Sequence, residues 1–482
     1  MTIRALALLL LLVSPGLVGC AINPATGSRA FTGFMGPEDE AELGREQNPA
    51  VIRAFGGIYG DQAVRDYVAR VGQALARTTE LPDLGFTFTV LDSPVINAFA
   101  LPGGYVYVTR GVLALASDEA ELAGVLAHEI GHVTARHAAQ RYSQQIVAGL
   151  GAAVLGTVGA ATDFGERAAE SLAAALQSYS RDQEFEADTL GIRYLGRAGY
   201  AVDAMAGFLA KLDRHSALEA DLIGRPGQAG AFDVMATHPR TTERIERAAA
   251  LGRIGTGRRE QDAYLSAIDG LLYGEDPELG LIKGQSLVHP KLGIRFDVPQ
   301  GFRLISGARQ ITAQGPGGAT IAFDTVRADS GELAMDDYIR RIWGRTMQLS
   351  DAVRLPLAGF EAAAATSRIQ TRRGPLDLRL VAIAADRTIH RFLFLTPPQM
   401  AASLAADLRG VPDSFRRLTP AEVADAAPRR LRVHVVQAQD SRETLIARTA
   451  ADPVRDRRFD LINGLVDGGL PPAGTLVKLI VE

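Results

Sequence analysis

At 482 residues the chain is too long for one ordinary core, and two to four domains are expected. A content of 47% hydrophobic and 22% charged residues is that of a globular chain, which excludes a disordered or collagen-like one. The net charge of −4 argues against a nucleic-acid partner, and the single cysteine excludes an intrachain disulfide framework. With only 6% aromatics, the core is expected to be built from Ala, Val, Leu and Ile.

The first twenty residues point to a compartment. Arg4 gives a basic start, Ala5 to Val13 is an unbroken apolar run, and Ser14-Pro15-Gly16 breaks it. The run is shorter than the ~20 residues that span a bilayer, so residues 1–19 read as a secretory signal. Leu17-Val18-Gly19-Cys20 resembles a bacterial lipobox. That resemblance implies a lipidated Cys20 as the mature N-terminus and an anchor in the membrane, which several acyl chains would make stable. Ala21, in place of Asp, implies the outer membrane of a Gram-negative envelope by analogy with lipoprotein sorting.

Beyond a polar stretch, Pro37 and the acids after it suggest a helix start. Val64, Tyr67, Val68, Val71 and Leu75 recur at helical spacing, predicting a helix over 61–78. Phe86 to Leu91 and Tyr105 to Thr109 alternate like strands, separated by a turn at Pro102-Gly103-Gly104. Starting after a Gly-Gly pair, Tyr105, Val106, Tyr107, Val108 and Thr109 are expected to form an exposed edge strand that receives an extended substrate. One long helix is expected over 117–142. The apolar run 146–161 reads as a packed helix, a flexible segment near the site, or a membrane contact. Helical periodicity returns over 166–212, a loop is marked at 225–230, and a further helix begins near Thr241.

The texture changes from about residue 255. Strand-like runs dominate an α/β sandwich-like accessory module at 284–416, with two helices and no polar cluster of catalytic type. Residues 431–482 read strand, helix, helix, strand. That order, with Asn463-Gly464 ending the second helix, resembles a LysM module and implies binding to glycan such as peptidoglycan. The fold class is therefore multidomain α+β: a mostly helical domain with a small β-sheet at 20–265, the accessory module, and the small βααβ module.

The chemistry is concentrated in His128-Glu129-Ile130-Gly131-His132, an HExxH motif. Residues four apart share a helix face, so both imidazoles can reach one zinc ion, with Glu129 beside them as general base. Flanking Leu122, Val125, Leu126 and Val133 predict a buried helix, where unpaired imidazoles would be costly. His137 lies nine residues after His128 and is expected on the opposite face, as a packing or surface residue. The third ligand is sought in Glu184-Phe185-Glu186-Ala187-Asp188. Glu184 and Asp188 share a face. Glu184 is the ligand candidate, Asp188 the carboxylate that holds a histidine N–H, and Glu186 the weaker choice.

HExxH, then ExxAD, then His238-Pro239-Arg240-Thr241-Thr242-Glu243-Arg244 resembles the gluzincin metallopeptidases related to the CAAX prenyl endopeptidase and the Oma-type proteases. The bacterial periplasmic BepA-type branch is nearest. The stretch NAFALPGGYVYVTRG matches as well, and the resemblance covers about residues 23–250. It implies a zinc endopeptidase acting on unfolded or misassembled envelope proteins. His238 and Arg244 would flank the scissile carbonyl oxygen, or His238 would be a fourth ligand that keeps the enzyme closed. The helical repeats that BepA-type proteins carry at their C-terminus have no counterpart here, which separates the inherited chemistry from inherited partners.

Overall fold

The computed structural model describes residues 20–154, 178–222, 238, 242–252, 257–278, 280–306, 310–327, 334–371, 374–466 and 468–482. The expected signal segment, the apolar run beyond Val154, the stretch 166–177 and the loop at 225–230 lie outside them. The chain divides into two units: one runs to Tyr273 and resumes at Arg429–Glu482, and the other is Gly274–Pro428.

The first unit opens with a hairpin, β1 (Cys20–Ile22) antiparallel to β2 (Arg29–Phe31). Helix α1 (Pro37–Ala54) starts at a proline, with the Gly36 N–H donating to Asp39. Helix α2 (Gln62–Ala76) is capped by Asp61, whose carboxylate accepts from the N–H groups of Ala63 and Val64. It buries the five apolar residues that its periodicity picks out.

A three-stranded sheet follows, in the order β3 (Thr87–Leu91), β5 (Tyr105–Thr109), β4 (Ala98–Leu101). The expected exposed edge at Tyr105, Val106, Tyr107, Val108 and Thr109 is thereby corrected. This strand is central, parallel to β3 and antiparallel to β4, and buried from Val106 to Thr109. The cause is the apolar segment just before the turn. Gly103 and Gly104, at φ +80° and +89°, let Ala98–Leu101 fold back and pair with β5. The edge position passes to β4.

Helix α3 (Arg110–Leu115) leads to α4 (Glu119–Thr134), capped by the Asp118 side chain and almost wholly buried. The expected single helix over 117–142 is broken: α4 ends at Thr134, Arg136 takes a left-handed φ of 57°, and α5 (His137–Val154) begins. The Arg136 conformation, unfavourable for a non-glycine residue, is held by its bonds to Glu40 (2.8 Å) and to the Met35 carbonyl (2.8 Å). Helix α6 (Arg181–Arg197) starts with a Ser180–Gln183 capping box. Helices α7 (Ala204–Leu222), α8 (Thr242–Leu251) and α9 (Gln261–Ile268) complete this stretch.

The second unit is mixed sheet and helix. A seven-stranded antiparallel sheet has the order β12 (Val353–Leu357), β13 (Phe360–Thr371), β14 (Gly374–Ala385), β15 (Thr388–Thr396), β11 (Thr320–Arg327), β10 (Ile311–Gln314), β9 (Arg303–Ser306). A four-stranded sheet has the order β16 (Arg416–Arg417), β8 (Ile294–Asp297), β7 (Ser286–His289), β6 (Leu281–Lys283). Strand β14 is buried on both faces. Val381 and Ile383 join a core with Phe323, Phe392 and Phe415, while Leu380 and Ala382 pack with Tyr338 and Ile339.

The C-terminal segment has the expected order: β17 (Arg430–Val435), two helices at Arg442–Ala447 and Arg455–Asn463, and β18 (Leu476–Val481), antiparallel to β17. Its Leu431, Leu461, Ile462 and Ile480 belong to the same buried cluster as Leu122 and Leu126 of α4. Lys478 is buried there and donates to the carbonyls of Ala114 (2.8 Å) and Ala116 (2.6 Å), at the C-terminal end of α3.

Candidate metal centre

Three helices and one residue beyond α7 build the site. α4 supplies His128, Glu129 and His132. α6 supplies Glu184 and Asp188, and α8 supplies Arg244. Two glycines bring α4 and α6 together. A Cβ at Gly131 would lie 3.0 Å from the Ala187 carbonyl oxygen, and one at Gly191 would lie 3.1 Å from the His128 backbone nitrogen. The glycine between the two motif histidines therefore has a packing reason, which seats Glu184 against the imidazoles.

His128, His132, Glu184 and His238 converge, each buried and each offering one donor atom within 4.8 Å of the others. His128 Nε2 is 3.1 Å from His132 Nε2 and 3.2 Å from His238 Nδ1. Glu184 approaches His238 Nδ1 at 2.9 Å, His128 Nε2 at 3.5 Å and His132 Nε2 at 3.6 Å. A tetrahedral zinc site with metal–nitrogen bonds of ~2.0–2.1 Å has edges of about 3.3 Å, so the spacing fits. The charge balance fits too. Burial disfavours charge on His128, but hydrogen bonds with Asp188 and Glu184 outweigh it and raise its pKa to about 10. Burial works against the Glu184 carboxylate as well, yet His238 and His128 hold it well below the usual range. Burial pushes His132 well below an ordinary imidazole.

Glu129 is fully buried, and burial pushes its pKa up. Both of its oxygens lack a hydrogen-bond partner among the described residues, and Oε1 lies 3.4 Å from His238 Nε2. A buried carboxylate is costly unless a ligand or solvent partner completes it. Asp188 takes the position expected of it: Oδ1 is 2.9 Å from His128 Nδ1. Arg244, expected beside the scissile carbonyl oxygen, lies against two carboxylates. Its Nε and Nη2 bond Asp188, both at 2.8 Å, and Nη1 lies 2.6 Å from Glu184. A guanidinium whose fork is engaged by two carboxylates positions those carboxylates.

The expectation for His137 is corrected. It is buried, with Nδ1 2.8 Å from His132 Nδ1 and Nε2 3.1 Å from Glu186 Oε2. The helical-face argument fails because the helix stops before it, and the left-handed Arg136 returns the chain toward His132. Glu186 stays outside the donor set, held by His137 and by Asn23. Tyr179, just before the Ser180 cap, stacks on His132 with ring centroids 3.9 Å apart. The motifs do not include it, and its place beside the ExxAD helix start was the available signal. A cleft of about 440 Å³ runs from His132 and Tyr179 along Ala100 and Leu101 of the edge strand.

Residues 62–251 match the profile of Peptidase family M48. This segment is an M48 peptidase domain. The beta-barrel assembly-enhancing protease of Yersinia pestis is 29% identical over 252 residues, covering 49% of this chain and 50% of that protein. Its Escherichia coli K12 namesake is 30% identical over 205 residues, covering 40% of each. The mitochondrial metalloendopeptidase OMA1 of Schizosaccharomyces pombe is 32% identical over 199 residues, covering 39% of this chain and 55% of that protein. The chain thus spans about half or less of the length of these relatives. All four donors, Glu129, Asp188 and Arg244 lie inside the M48 segment. The N-terminal hairpin with Asn23, the second unit and the C-terminal segment lie outside it.

Proposed function

We propose that this chain is a zinc endopeptidase of the cell envelope that cuts unfolded or misassembled periplasmic and outer-membrane proteins. The observation that carries the reading is the four-donor cluster with the buried Glu129 beside it, whose oxygens have no hydrogen-bond partner among the described residues. Bound zinc would be held by His128, His132 and Glu184 and would supply Lewis acidity to polarise a peptide carbonyl. Glu129 would take a proton from the attacking water and return it to the leaving amine. Asp188 orients His128, and Arg244 orients Asp188 and Glu184. An extended substrate would add to the β4 edge by backbone hydrogen bonds, giving broad sequence preference.

His238 sits in the donor set itself, which favours a resting state in which it fills the fourth position and blocks substrate. The names of two relatives, both beta-barrel assembly-enhancing proteases, support envelope substrates. A lipidated Cys20 would anchor the protein to the outer membrane, and no described helix is long and apolar enough to cross a membrane. The strand-helix-helix-strand order of 431–482 supports a LysM-like contact with peptidoglycan. A chaperone with a latent peptidase, or a peptidoglycan-binding scaffold, is the competing role. Incubating the purified protein with casein, with and without a chelator, separates them: internal cuts that the chelator stops support the peptidase, and intact casein in both arms supports the alternatives.

A further inference from the structure

The two motif histidines are held differently. His128 meets the Asp188 carboxylate directly, at 2.9 Å. His132 reaches a carboxylate only through a second imidazole: His132 Nδ1 to His137 Nδ1 at 2.8 Å, then His137 Nε2 to Glu186 Oε2 at 3.1 Å. The other Glu186 oxygen accepts from Asn23 Nδ2 at 3.0 Å. Asn23 is buried and fixed in the turn after β1: its backbone N–H donates to the Ser28 carbonyl at 2.7 Å, and its side-chain oxygen accepts from Ala25 at 2.9 Å.

We infer that His137, Glu186 and Asn23 form a positioning relay that fixes the tautomer and orientation of His132, tying the N-terminal hairpin to the metal centre. The proton assignment follows from the chain of contacts. His132 can offer Nε2 to a metal only as the Nδ1–H tautomer, which donates to His137 Nδ1. His137 must then carry its proton on Nε2 and donate it to Glu186. Glu186 accepts at both ends, which a carboxylate does and a protonated acid does not. The relay matters beyond local packing because Asn23 lies three residues after Cys20 and outside the M48 segment. The segment next to the expected lipid anchor is thereby part of the support of a metal ligand.

The inference rests on the reading that the four-donor cluster holds zinc, and the test separates the two. Zinc affinity is measured by competition with a chromophoric chelator for the full chain and for His137→Phe, Glu186→Gln and Asn23→Ala. Melting temperature is recorded on the same proteins without metal. Zinc binding by the wild type, weakened ~10–100-fold in His137→Phe and Glu186→Gln and by less in Asn23→Ala, with metal-free melting unchanged, is the expected result. Affinities within twofold of wild type would overturn the relay. So would losses that track a lowered metal-free melting temperature in all three variants. A wild type that binds no zinc overturns the metal reading itself.

Discussion

Glu184 and Asp188 sit one helical turn apart on α6 and touch the same histidine, yet they do different work. Glu184 is in the donor set, whereas Asp188 lies 2.9 Å from the far nitrogen of His128. Glu184→Ala is therefore expected to abolish stoichiometric zinc, and Asp188→Ala to weaken it by ~10–100-fold. Metal analysis of the purified variants checks both, and full zinc in Glu184→Ala would move the third ligand elsewhere. His238 separates two roles by the sign of its effect. If it serves only to stabilise an oxyanion, His238→Ala lowers cleavage by about 10²–10³. If it fills the fourth position at rest, its removal opens the site, so cleavage rises and self-cleavage appears. The position of Nδ1, 3.2 Å from His128 Nε2 and 2.9 Å from Glu184, favours the rise. A hundredfold fall without autolysis would leave only the oxyanion role.

At the scale of the helices, the site depends on how closely α4 and α6 approach. A methyl group at Gly191 would lie 2.5 Å from Met205 Cε, which can swing aside, and 3.1 Å and 3.3 Å from the backbone of His128 and Ala127. Backbone cannot yield as a side chain can, so Gly191→Ala is expected to cost ~1–3 kcal/mol and to weaken zinc binding by moving Glu184 from the imidazoles. Thermal melting and zinc competition on one preparation would show both effects; unchanged values would mean that the interface has slack. The same scale explains what could be read in advance. HExxH and ExxAD were legible because residues four apart share a helix face whatever surrounds them. His238 was legible only as part of a motif, since 54 residues separate it from Glu184. His137 was misread because its position depends on Arg136, whose left-handed turn is held by Glu40, 96 residues earlier. The central place of Tyr105–Thr109 was missed because its second partner is a four-residue strand hidden in a stretch that reads as a turn.

For the whole molecule, the second unit enters and leaves at one point of the first. The Tyr273 N–H donates to the Arg429 carbonyl at 2.7 Å, and the Leu431 N–H to the Leu271 carbonyl at 2.8 Å. The first unit's core includes residues from both sides of this junction, among them Leu271 and Leu431. Replacing Gly274–Pro428 by a short glycine-serine linker is therefore expected to leave the melting of the first unit and its zinc content near those of the full chain. Aggregation or loss of zinc in the shortened protein would show that the peptidase unit needs the inserted one. The boundary was legible as a change of texture from about residue 255 and a glycine-flanked linker at 274–284. The return of the chain into the peptidase core was not, because residues 431–482 carry a complete small pattern of strands and helices that gives no sign of where its apolar side packs. The central claim, that Glu129 drives metal-dependent peptide hydrolysis, is tested most directly by following cleavage of a permanently unfolded protein by wild type and Glu129→Gln, both carrying equal zinc. The account predicts fragments from the wild type and none from the variant; equal cleavage by the two proteins would contradict it.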